Sequence, residues 1–337
     1  MPAYFGLDIG SSSIKLIELN GKSVRAATIM PNPVGKAGAD LVPAEKSVLV
    51  DTVKKLLATA KPSTRKVVVS IPELLVYTRV MQFPLMSTPE LATAIKWEAE
   101  QVIPYPIDKM ELSWVVLFKP KDLSSNEKMK VLVVGVPTKV SEAYIELLDS
   151  VGLEAVRVEN ELVSLVRATT TSKKLNGVTM ICDIGYSGTR LVVADTNQVY
   201  ANYNSPLGGM AFTKIIADTF HLTVQQAEEY KRAYGLDKSQ FEGKLYTSVE
   251  PVLTSLLADI NKVVAGYLNS YPDRKIDRLV LVGGGAYLKG LLGVMVQQTG
   301  LEVFVGNAFD GLRVAEALKG LGTVYAGAVG CAIDDES

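Results

Sequence analysis

One short pattern occurs twice in this chain, and any fold must account for both copies. "FGLDIGSSSIKLIEL" spans residues 5–19, and "CDIGYSGTRLVVAD" spans 182–195. In register, Asp8-Ile9-Gly10-x-Ser12-x-x-Lys15-Leu16 lies over Asp183-Ile184-Gly185-x-Ser187-x-x-Arg190-Leu191. Each copy is a pair of apolar runs around a Gly/Ser turn, which predicts a β-hairpin. A single hairpin of this kind is an ordinary turn with an Asp to start it. Two copies, roughly 175 positions apart, predict two similar halves that face each other.

The turn chemistry suggests what such halves hold. Glycine at Gly10 and Gly185 lets the backbone turn tightly and approach a ligand. Backbone N–H groups in these turns, with the hydroxyls of Ser11, Ser12, Ser13 and Ser187, can cradle phosphate oxygens. Lys15 adds positive charge at the mouth. Asp8 and Asp183, aimed into one cleft, repel each other unless a cation lies between them, and hydrated Mg²⁺ fits that chemistry. The pair therefore predicts a metal position at Asp8 and Asp183.

Composition narrows the function classes. The 337 residues suggest about two domains. At 48% apolar and 21% charged the chain reads as an ordinary globular protein, and a net charge of −1 argues against a nucleic-acid surface or a polybasic membrane anchor. Cys182 and Cys331 sit in apolar contexts and read as small buried hydrophobes. His221 is the only histidine, so His-rich metal sites and Ser/His/Asp triads are nearly excluded. No run approaches the ~18 apolar residues of a membrane helix, and no signal peptide is visible, so a cytoplasmic location is expected.

Along the chain, strands are predicted at 4–9, 14–19 and near 23–30, a helix near 45–60 with Val48, Val53, Leu56 and Leu57 at helical spacing, and an apolar strand at 66–72. From about 76 to 148, strand, helix, strand, strand and helix read as an inserted α+β subdomain. Ser87 and Glu90 form a capping-box pair at its first helix, and the polar loop "KPKDLSSNEK" separates its later strands. A strand at 154–159 and a helix at 160–172 precede the second hairpin. Gly208 and Gly209 stand just ahead of another helix, where the helix dipole favours anions. Further helices are expected from Thr223 to Gly235 and over 247–270. "DRLVLVGGGAYLKGL" reads as a buried strand, a triple-glycine turn and a helix start.

The paired hairpins and "VLVGGGA" resemble the superfamily of ATP-binding proteins that contains actin, the sugar kinases and the heat-shock chaperones. The resemblance implies an α/β fold of two actin-like lobes with ribonuclease H-like halves. Its first phosphate loop would run from Asp8 to Lys15 and its second from Asp183 to Thr189. Gly283, Gly284 and Gly285 would leave room for adenosine, with ATP and Mg²⁺ as the ligands. Segments 158–168 and 323–333 would be helices meeting at a hinge. Lobe one would cover 1–177 with the insert, lobe two 178–322 with a nucleotide-covering helical part at about 207–271, and 323–337 would return to lobe one. Asp183 and a water-orienting residue, Asn160 or Glu161, are the catalytic candidates, with hydrolysis at most slow.

Two longer stretches narrow this further. "MQFPLMSTPELATAIKWEAEQVIPYPID" and "PLGGMAFTKIIADTFHLTVQQAEEYK" resemble the type IV pilus assembly PilM family, relatives of the cell-division protein FtsA. By that resemblance Glu228 and Lys231 would contact the ribose hydroxyls, and Gly208 and Gly209 would border the phosphates. The partner would be the N-terminal cytoplasmic peptide of the inner-membrane protein PilN, bound between the first lobe and the insert. Other inner-membrane pilus proteins and the pilus motor ATPases are further partners the family suggests, and self-association stays open. The ending "CAIDDES" is too short and acidic for an FtsA-like membrane helix, so membrane contact would come only through the partner. A filament-forming FtsA-like scaffold and a small-molecule kinase are the alternative functions.

Overall fold

The computed structural model describes residues 4–36, 38, 40–120, 127–170, 177–195 and 199–333. Parts of the expected loop at 119–128, the last two residues of the helix at 160–172, and most of the tail "CAIDDES" lie outside these residues.

Three strands open the chain: β1 (Phe5–Ile9), β2 (Ser13–Asn20) and β3 (Ser23–Pro31). Helix α1 (Pro43–Ala60) then crosses to β4 (Lys66–Ile71). Next come β5 (Tyr77–Phe83), α2 (Thr88–Val102), β6 (Met110–Phe118) and β7 (Met129–Pro137), followed by α3 (Thr138–Ser150), β8 (Glu154–Asn160) and α4 (Glu161–Thr170). The first sheet has the order β3-β2-β1-β4-β8, with β1 antiparallel to β2 and parallel to β4.

The second half repeats the plan. Strands β9 (Thr179–Ile184), β10 (Thr189–Ala194) and β11 (Val199–Ser205) lead to helices α5 (Gly209–Phe220), α6 (Val224–Tyr234) and α7 (Lys244–Ser270). Then follow β12 (Arg278–Val282), α8 (Leu291–Thr299), β13 (Glu302–Val305) and α9 (Ala326–Ala332). The second sheet runs β11-β10-β9-β12-β13, the same order with the same antiparallel and parallel pairings. The internal repeat is thus a repeat of whole sheets.

Side-chain alternation along the central strands sets the layers. In β1, Phe5, Leu7 and Ile9 enter the core under α1 and α3, while Gly6 and Asp8 face α9. In β9, Met180, Cys182 and Ile184 enter the core under α5, α7 and α8, while Ile181 and Asp183 take the opposite face. Each repeated aspartate therefore lies on the face that its lobe turns toward the other.

Two readings of the sequence need correction. Val48 is exposed, and Leu49 fills the inward position of α1 with Val53, Leu56 and Leu57. The helix at 138–150 does not belong to the insert's core. Val140, Tyr144, Leu147 and Leu148 pack with β1 and α1, whereas the insert is cored by Met81, Phe83, Leu91, Ile95, Met129, Val131 and Val133. The insert is the three-stranded sheet β5-β7-β6 with α2 against it. Ser87 and Glu90 cap α2 as the sequence implies, Ser87 N–H donating to Glu90 at 2.8 Å.

Helices α4 and α9 join the lobes. Their contact is backbone-close because a Cβ on Gly330 would overlap the Ser164 carbonyl. The Arg167 guanidinium also donates to the Gly330 carbonyl at 2.6 Å. Gly330→Ala should force the two helices apart and destabilise the protein by about 1–3 kcal/mol. Gly293→Ala in α8, where a Cβ meets open space, should be neutral or slightly stabilising. Thermal unfolding of both variants checks the contrast.

Candidate functional site

The two hairpin turns meet over one cleft. Ser11 Oγ and Ser187 Oγ lie 3.1 Å apart, one from each lobe. Below them, strand register places each repeated aspartate directly across from a cation: Asp8 pairs with Lys15 in β1/β2, and Asp183 with Arg190 in β9/β10. Lys15 Nζ donates to Asp8 Oδ2 at 2.9 Å, and Arg190 Nε to Asp183 Oδ2 at 2.9 Å. The match between lobes thus extends from spacing to hydrogen-bond geometry.

The remaining carboxylate oxygens bear on metal binding. Among the described residues, no protein group donates to Oδ1 of Asp8 or of Asp183. Also among them, no three His, Cys, Asp or Glu side chains cluster as metal ligands. That donor set is poor for zinc or calcium. It suits Mg²⁺, which keeps several waters and takes its other ligands from phosphate.

A polar chamber of about 230 Å³ is lined by Asp8, Gly10, Ser11, Ser12, Ser13 and Lys15 of the first hairpin. Asp183, Gly185, Ser187 and Arg190 line it from the second, with Glu161, Gly283 and Gly284. A second chamber of about 350 Å³ adjoins it and is mainly apolar, walled by Ile184, Phe212, Leu256, Gly285, Tyr287 and Leu288. Gly209, Glu228, Lys231 and Gly284 border both chambers. Gly283 is required at the seam: its φ of +79° is left-handed, and a Cβ there would collide with Asp183 Oδ1.

Glu228 and Lys231 lie together at this junction, Nζ to Oε2 at 2.6 Å. Lys231 also donates to the Gly209 carbonyl at 3.0 Å and to Thr213 Oγ1 at 2.9 Å, so all three of its protons are placed. Burial acts to raise the Glu228 pKa, but hydrogen bonds from Lys231 and Thr213 outweigh it and keep the carboxylate ionised. A fixed carboxylate at the boundary of a polar and an apolar chamber can accept from a sugar diol.

Some expected residues play other parts. Thr189 is buried and donates to the Leu207 carbonyl at 2.6 Å, so it braces the hairpin without lining the cleft. Gly208 lines neither chamber and packs against the second turn as the cap of α5. The first amides of α5 are already used: Gly209 N–H donates to the Gly185 carbonyl and Met210 N–H to that of Tyr186. This helix start supports the hairpin rather than offering free donors to an anion.

Of the two candidates at the start of α4, only Glu161 lines the cleft. Asn160 is committed to structure, accepting from Leu162 N–H at 2.8 Å and donating to Thr78 of the insert at 2.7 Å. Glu161 Oε2 lies 3.2 Å from the Arg190 guanidinium and accepts from Glu73 N–H at 3.3 Å. Burial pushes the Glu161 carboxyl up to about 7; Arg190 pulls it down, while Asp8 and Asp183 push it up. Arg190 and Glu73 are the polar residues whose roles were missed. Arg190 was visible in the repeat, whereas Glu73, at the exit of β4, carries no pattern of its own.

A family model described as type IV pilus assembly protein PilM matches residues 6–335. The chain belongs to that family. A solved structure described as the PilM-PilN type IV pilus biogenesis complex is similar to it at 28% identity, with a TM-score of 0.86 and 98% of each chain covered. Two more distant structures share the fold. The ethanolamine utilization protein EutJ of Carboxydothermus hydrogenoformans has 17% identity and a TM-score of 0.59, covering 98% of this chain and 89% of that one. MreB 5 of Spiroplasma citri bound to AMPPNP has 12% identity and a TM-score of 0.56, covering 99% and 96%. This PilM family member therefore has the actin-like fold.

Glu73 yields a test of the cleft's electrostatics. It is fully buried, and burial raises its carboxyl from 4.5 to about 7 against smaller opposing effects of Thr78 and Asn160. A raised acid pKa means that its favourable contribution is complete below pH 4.5 and is lost as pH climbs through about 7. Glu73→Gln should therefore remove about 3 kcal/mol of pH-dependent destabilisation over that window. Denaturant titrations at pH 4.5 and pH 8 measure it.

Proposed function

We propose that this member of the PilM family binds Mg-ATP between its lobes and docks on the N-terminal cytoplasmic segment of PilN. The observation that carries the nucleotide reading is the convergence of two matched Asp/Ser hairpins on one polar chamber that opens into an apolar one. A triphosphate needs donors and a counter-cation at one end, and its base needs an apolar wall at the other.

In this reading Ser11, Ser12, Ser13 and Ser187 contact the phosphates, with Lys15 and Arg190 supplying positive charge. Asp8 and Asp183 hold the hydrated cation through their Oδ1 atoms. Bound Mg²⁺ would neutralise phosphate charge. Glu228 accepts from the ribose, with Lys231 fixing it, and Gly284 and Gly285 leave space beside Ile184 for the base. Glu161 orients water. Because Arg190 and Glu73 N–H already hold its carboxylate, turnover is at most slow.

The PilN reading is supported by the likeness to a PilM-PilN complex over nearly the whole length of both chains. Among the described residues no helix is long and apolar enough to cross a membrane. Recruitment to the cytoplasmic face of the inner membrane through PilN fits that observation.

Asp8→Ala and Asp183→Ala should each weaken Mg-ATP binding by about tenfold or more, the scale of a lost charge-assisted contact, while far-UV circular dichroism stays native. Calorimetric titration measures the loss, and unchanged affinity in both variants would refute the site. A synthetic peptide of the PilN N-terminal segment should be retained by the wild-type protein in a pull-down. Failure with and without ATP would refute the partner.

A further inference from the structure

The insert touches more than the lobe it grows from. It leaves the first sheet through a short turn, Glu73–Leu75, directly after β4. That turn lies against the phosphate end of the cleft. Glu73 N–H holds Glu161, and Leu74 Cδ1 comes up to the face of Gly188 in the second hairpin. The Glu73 side chain then crosses to the second lobe, where Asn202 Nδ2 of β11 donates to Oε1 at 3.3 Å. Among the described residues, its other oxygen, Oε2, is buried without a hydrogen-bond partner. A carboxyl group buried with one oxygen unpartnered is costly.

A second contact, well away in sequence, has the same sense. Lys130, on β7 of the insert, places its Nζ 3.7 Å from the ring centre of Tyr271, just beyond α7 of the second lobe. At the hinge, Asn160 is tied to Thr78 at the start of β5. The insert is therefore held at its root by the hinge strand and along its sheet by the opposite lobe. A change in the angle between lobes cannot leave all these contacts as they are.

We infer that the insert is geared to the cleft: the Glu73–Asn202 and Lys130–Tyr271 contacts make its orientation follow closure of the lobes on the phosphates. This rests on the reading that the cleft binds a nucleotide. It adds the route by which bound nucleotide changes the surface offered by the insert. Glu73 acts in it as a positioning residue for Glu161, and Asn202 and Lys130 are the contacts that transmit closure.

Trp97 and Asp273 are exposed, one on the insert and the other on the second lobe near Tyr271. Cys182 and Cys331 are fully buried, so cysteines introduced as Trp97→Cys and Asp273→Cys can be spin-labelled selectively in the full chain. The distance between the labels is measured by pulsed dipolar spectroscopy without nucleotide, with Mg-ADP and with Mg-AMPPNP. The expected result is a resolved shift on AMPPNP binding that is reduced by Asn202→Ala or Lys130→Ala and lost in the double variant. Calorimetry should find AMPPNP affinity within about twofold of the parent in all of them, since none of these residues lines the nucleotide chambers. Tight binding without a shift, or a shift that survives the double variant, would overturn the inference and leave the nucleotide site standing. No detectable nucleotide binding in the parent would overturn both.

Discussion

The structure depends on one register. In each lobe an antiparallel hairpin sets an aspartate opposite a basic residue, Asp8 against Lys15 and Asp183 against Arg190. A slip of one position would turn each aspartate into the apolar core and expose a core residue in its place. The core forbids that slip: Leu7 and Ile9 on one side, and Cys182 and Ile184 on the other, are held at 2% exposure or less by helices that cover the sheets. Hydrophobic packing thus fixes where charge can stand. The ion pairs engage Oδ2 of each aspartate, and both aspartates line the cleft.

The hinge follows from the same economy of space. Two lobes can share one ligand only if the helices between them approach closely enough for the hairpin tips to meet. Gly330 against Ser164, and Gly6 against the carbonyl of Ala328, let α9 lie on both α4 and β1. Large side chains there would widen the cleft and separate Ser11 from Ser187. The small residues near the end of the chain are thus part of the site although they carry no chemistry.

Most of the architecture was legible because its signals are local. The hairpins announce themselves by alternation around a Gly/Ser turn, α2 and α6 by capping pairs, and the triple-glycine turn by composition. What was misjudged depended on distant partners. Helix α3 has an ordinary amphipathic pattern, and nothing in it says whether its apolar face meets the insert or the first lobe. Gly208 and Thr189 sit in the right segment yet do not line the cleft, and Gly209 lines it with its amide already given to the Gly185 carbonyl. Asn160 and Glu161 could not be ranked until Thr78, 82 positions away, was seen to claim the amide. Glu73 had no sequence signal at all, because its significance arises from where β4 happens to end.

In the proposed reading the two hairpins hold one cation and one nucleotide between them. Co-crystallisation with Mn²⁺ and AMPPNP, with data collected for the anomalous signal of manganese, tests it most directly. The expected result is a single manganese peak in the cleft, reached by Asp8 and Asp183 through water and bound to the phosphates, with the base in the apolar chamber. A nucleotide seated elsewhere, or seated in the cleft with no metal between the two aspartates, would contradict it.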